Sequence, residues 1–144
     1  MSSDAATLDL TDFDAMGIAA DIIVAVRAHA LQHEVSTTAE VSAPQGWHRV
    51  VVNCSPTGNV NLRVRFVDLT TSRANNVTKA LVARDWLIDE DCDGASTRFL
   101  PGAEAASIAF EVLAVLSLAG APGDRRTVTA IDSAGAEIAL GPTN

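Results

Sequence analysis

Three features of the sequence predict an α+β domain in which helices pack on an antiparallel sheet. Val60, Leu62, Val64 and Phe66 alternate with Asn61, Arg63 and Arg65, the period-two pattern of a strand with one wet face. Met16, Ala19, Ala20, Ile22, Ile23 and Val26 recur at helical spacing. Ile108 to Leu118 is a nearly continuous apolar run, stopped before by Pro101-Gly102 and after by Gly120-Ala121-Pro122. With 144 residues, 48% of them hydrophobic, the chain can bury about 70% of the surface its unfolded form exposes around one core.

Element by element, residues 1–10 read as a loose tail and residues 11–144 as one domain. Thr11-x-x-Asp14 reads as a capping box opening a first helix that ends near Glu34, with extra carboxylates in its first turn to match the helix dipole. Residues 36–46 are a polar connector with a short edge strand at Ala39 to Ser42. Trp47 to Cys54 and Val60 to Asp68 form a hairpin through Ser55-Pro56-Thr57-Gly58-Asn59. Ser72 caps a short second helix running to Arg84, with Val77, Ala80 and Leu81 inward. Trp86 to Asp91 and Ala95 to Leu100 pair around Asp91-Cys92-Asp93-Gly94. A third helix follows, gaining from Glu104 in its first turn. Residues 126–140 close with a hairpin at Ser133-Ala134-Gly135. The order is α-β-β-α-β-β-α-β-β. The third helix is apolar on nearly every side, so one side can pack on the sheet while the other needs cover from the first helix or from a second subunit.

Composition narrows function. A net charge of −8 argues against nucleic-acid binding, because phosphate neutralisation needs surplus Lys and Arg. Nine of the ten basic residues are Arg, which, with abundant Ala, suggests a GC-rich bacterial source. The N-terminus lacks the basic and apolar regions of a signal peptide, and no run of 18 uninterrupted apolar residues marks a membrane span. A cytoplasmic location is expected, with Cys54 and Cys92 as thiols and the sequon Asn76-Val77-Thr78 idle.

Few residues carry candidate chemistry. Asp89, Asp91, Asp93 and Gly94 have the spacing of the first half of a calcium loop, but Leu100 stands where the bidentate Glu belongs, so the stretch reads as an acidic hairpin turn. His29 and His33 are four apart on one helical face without a third ligand in view, and read as solvated. Arg63 and Arg65, joined by Arg49 from the neighbouring strand, form a basic sheet face that could clamp a carboxylate or phosphate. A solvated face balanced by nearby acids is the plainer reading. Trp47 and Trp86 cover the ends of the core or, if exposed, anchor a partner. Cys54 or a Ser beside His48 could be recruited for nucleophilic catalysis, but no nucleophile elbow, Cys-His signature or phosphate loop accompanies them. No enzyme, metal or cofactor is expected.

The strand ending in Val67-Asp68, the helix reaching Ala80-Leu81, Trp86, the acidic turn, Pro101-Gly102 and the Ala-rich helix closed by Gly120-Ala121-Pro122 together resemble the type III secretion chaperone and YbjN-like superfamily. More narrowly, they resemble its actinobacterial branch of TY-Chap peptide chaperones. The resemblance is best from Val60 to Asp132; the first third fits by element order alone. In that family a Gly usually precedes the Trp, where this chain has Asp85. The resemblance implies an acidic, non-enzymatic, homodimeric protein that holds a peptide or unfolded segment of a partner. It offers no catalytic residues to carry over. The alternative from the residues themselves is a sensor domain that binds a small acidic ligand through Arg49, Arg63 and Arg65.

Overall fold

Alternation of buried and more exposed residues along the strands sets the sheet. The computed structural model describes residues 6–9, 14–42, 48–66, 70–89, 94–118, 125–138 and 140. The strands are β1 (Ala6–Asp9), β2 (Thr37–Ser42), β3 (His48–Cys54), β4 (Val60–Phe66), β5 (Leu87–Ile88), β6 (Gly94–Phe99), β7 (Arg125–Asp132) and β8 (Glu137–Ile138). They form one antiparallel sheet in the order β1-β7-β2-β3-β4-β6-β5, with β8 beside β7. The fold is α+β. Register brings Val128, Val41, Val50 and Val64 into one cross-strand row, and Ala39, Val52 and Leu62 into the next. All are buried. The β3–β4 turn closes as its sequence suggests: Ser55 N–H donates to the Asn59 carbonyl at 2.9 Å, and Gly58 takes φ 98°.

One segment read from sequence as irregular is a strand, and a predicted short edge strand is longer and interior. Ala6–Asp9, placed in the tail, pairs with β7 as β1, and Leu8 is buried opposite Arg126. Residues 1–5 of that tail lie outside the described residues. Thr37–Ser42 is interior rather than an edge, flanked by β3 and β7, with Thr37, Ala39 and Val41 buried in alternation. Ala39 and Glu40 carry weak strand signals alone; cross-strand packing on both sides makes the strand.

The helices are α1 (Ala15–His33), α2 (Thr71–Ala83) and α3 (Ala105–Leu118). Their starts differ from the predicted caps. The N-cap of α1 is Asp14, with no acid in its first turn, and Thr11 lies outside the described residues. The cap of α2 is Thr70, whose hydroxyl accepts from Arg73 N–H at 3.3 Å, two residues earlier than Ser72. Glu104 precedes α3, and its carbonyl accepts from the N–H groups of Ser107 and Ile108.

Cover for α3 comes from α1, which packs along it. Ile108, Ala109, Val112, Val115 and Leu116 are buried, while Phe110 remains 54% exposed. By length and composition alone α1, at 19 residues, could cross a membrane. Its Ala19, Ile22, Ile23, Val26 and Ala30 are instead buried in the core cluster with Leu8, Val41 and Val52. The space left among α1, α3 and the sheet is about 20 Å³ and apolar, room for about one water-sized sphere.

α1 stops where Glu34 turns left-handed, at φ 55°, and the N–H groups of Glu34 and Val35 both donate to the Ala30 carbonyl. A Cβ is disfavoured there, whereas glycine adopts the conformation freely. Glu34→Gly is therefore expected to raise unfolding free energy by about 0.5–1 kcal/mol, measured by chemical denaturation.

Candidate functional site

The outer face of the sheet carries the predicted arginines. Arg49 and Arg65 stand directly opposite one another on β3 and β4, a like-charge pairing that needs compensation. Arg49 Nε lies 3.0 Å from Glu40 Oε1, and Arg63 Nη2 lies 2.7 Å from Asp89 Oδ2. Arg65 is exposed. The face is thus balanced by local carboxylates at two of its three arginines. Asp89 spends its carboxylate on Arg63, while Asp91 and Asp93 lie outside the described residues. Gly94 is required where it stands: a Cβ there would meet the Val64 carbonyl at 2.5 Å and Asp89 Oδ2 at 3.0 Å.

Trp86 is buried as a cover for the core, and Trp47 lies outside the described residues. His29 and His33 stack with ring centroids 4.3 Å apart. His29 Nε2 lies 2.9 Å from Asp132 Oδ2, tying α1 to the β7–β8 turn rather than standing in solvent as the sequence suggests. Asp132 Oδ1 also accepts from the N–H groups of Ala134 and Ala136 at 2.9 Å. The His29 hydrogen bond first, then the backbone donors, hold the Asp132 carboxyl below its ordinary range. Among the described residues no three metal-type ligands come together. Cys54 is buried, and desolvation pushes its thiol up to about 11, against the small lowering from Arg27. A thiol so held is a poor nucleophile.

A second region was not visible in the sequence. Arg84, at the end of α2, donates from Nε to Glu111 Oε1 at 3.1 Å and from Nη2 to Oε2 at 2.5 Å. Trp86 Nε1 donates to the same Glu111 Oε1 at 3.0 Å, and the Arg84 guanidinium lies 5.2 Å from the centre of the Phe110 ring. Arg84, Phe110 and Glu111 wall an open groove of about 490 Å³ lined also by Met16, Thr97, Phe99, Ala106 and Ser107. Its floor is the inner face of β6 beyond the reach of β5, which pairs only with Ser96 and Ala95. Exposed Leu100, Leu87 and Val82 add apolar surface to the same end of the molecule, on β5, α2 and the turn after β6. Glu111 was the one legible hint, as the sole charge within the apolar run of α3.

No protein-family model, curated protein or solved structure matches this chain.

Because the Asp132 carboxyl titrates lower in the folded state than in the unfolded chain, its contribution to stability is present above the unfolded value. It is lost as pH falls through the folded value. Asp132→Asn is expected to lower stability at neutral pH and to flatten the acid loss below about pH 4, followed by denaturant titrations across pH.

Proposed function

We propose that this protein is a non-enzymatic module that binds an extended segment of a partner polypeptide, a peptide chaperone of the kind its sequence resembles. The observation that carries the reading is an open strand edge on β6 lying beside a groove in which Met16, Phe99 and Phe110 are partly exposed between polar walls. Strand edges supply main-chain hydrogen bonds to any extended chain, and alternate pockets supply selectivity. Half-exposed Phe110, with Phe99 and Met16, offers the apolar contact that an unfolded segment seeks.

The sensor alternative draws less support, since Glu40 and Asp89 already occupy Arg49 and Arg63. The reading places the protein in the cytoplasm. It also carries a homodimer, resting on the resemblance alone now that α1 covers α3.

Diluting a reduced, denatured model protein into buffer with the purified chain tests the proposal by light scattering. The chain is expected to suppress aggregation, and Phe110→Asp to lose most of that effect without a change in fold by circular dichroism. Scattering unaffected by the wild-type chain would remove the reading.

A further inference from the structure

We propose that the β6 edge selects segments in which an acidic residue adjoins an apolar one, the acidic residue facing Arg98 and the apolar one facing Phe99. This rests on the peptide-binding reading above. Asp89 N–H donates to the Gly94 carbonyl at 2.9 Å, so the backbone groups of Gly94 point toward β5. The two-residue repeat of a strand then turns those of Ser96 and Arg98 the same way. Ser96 faces Leu87. Continued by two residues, that register would set Asp85 opposite Arg98. Asp85 instead turns left-handed at φ 67° and gives its N–H to the Val82 carbonyl. Arg98 is left without a strand partner on that side among the described residues.

A segment adding at this edge would place one residue opposite Arg98, with its side chain on the outer face of the sheet. Its neighbour facing Phe99 would turn inward toward Phe99 and Phe110, while the place beside Thr97 belongs to Trp86, the residue before Leu87. The Arg98 guanidinium is exposed and is held by a neutral group, Asn61 Oδ1, at 3.2 Å. Its charge is therefore uncompensated among the described residues, unlike those of Arg49 and Arg63. Opposite charges on directly facing positions stabilise a strand pair, and like charges oppose it. The same rule disfavours a second copy of this chain as occupant, because two-fold pairing about this position would set Arg98 against itself. The net charge of −8 does not reverse the preference, since exposed charges farther than about 8 Å are largely screened at physiological ionic strength.

Two labelled peptides test this, with Val and Leu at inward positions and either Glu or Lys at outward ones, titrated with the full chain by fluorescence anisotropy. The Glu peptide is expected to bind about three- to five-fold tighter, and Arg98→Glu, an exposed substitution, to reverse the order. Equal affinities, or an order unmoved by Arg98→Glu, would overturn the role of Arg98 while leaving the peptide-binding reading in place. Binding of neither peptide, with aggregation of the model protein still suppressed, would overturn the β6 edge as the docking strand.

Discussion

One carboxylate fixes the geometry of the exposed end of this molecule. Glu111 reaches from α3 to take two hydrogen bonds from Arg84 and one from Trp86, the residues on either side of Asp85. Charge-assisted bonds of this kind contribute about 1.5–3 kcal/mol each. They hold the chain in a sharp turn after α2, with Asp85 left-handed between them. The turn aims Trp86 into the core and leaves β5 only two residues to pair with β6. Everything proposed for function follows from that shortened pairing: an edge at Arg98 that continues past its partner, and a groove beneath it where a longer β5 and its side chains would otherwise lie.

The rest of the architecture supports this end by being complete elsewhere. Three helices cover one face of the sheet, and α1 and α3 cover one another, so the apolar excess of α3 is absorbed within the chain. On the far side, β1 and β8 both pair with β7 and close that edge with short strands. His29 and Asp132 pin the β7–β8 turn to α1. The outer face holds Arg49 and Arg63 in local ion pairs. What stays unsatisfied gathers around β6: Phe110, Leu100, Leu87, and the backbone and charge of Arg98.

The sequence made the α+β class and most elements legible, because Val60 to Phe66 and Met16 to Val26 carry their periods in residue types that hydropathy reads well. It hid β1 and showed β2 only as a short edge strand at Ala39 to Ser42. Ala6, Ala39 and Glu40 have little intrinsic strand preference, and these strands are held by distant partners in β7 and β3. Of the candidate sites, the arginine face was legible in position but not in its neutralisation, since Glu40 and Asp89 meet it across strands. The groove was illegible altogether. Phe99 and Phe110 look like core residues on paper, and their exposure follows from the turn at Asp85, the left-handed residue that closes α2 as Trp86 N–H bonds to the Leu81 carbonyl and Asp85 N–H to that of Val82. Asp85 stands where left-handed backbone is required, a conformation that Gly adopts more freely.

The central claim is that β6 outruns its partner at Arg98, and amide hydrogen exchange of the free protein tests it most directly. The Ser96 amide, facing Leu87, is expected to be protected, and the Arg98 amide, two residues on and facing the same side, to exchange as an open edge does. Equal protection of Ser96 and Arg98 would mean that the edge is already occupied and would contradict the account.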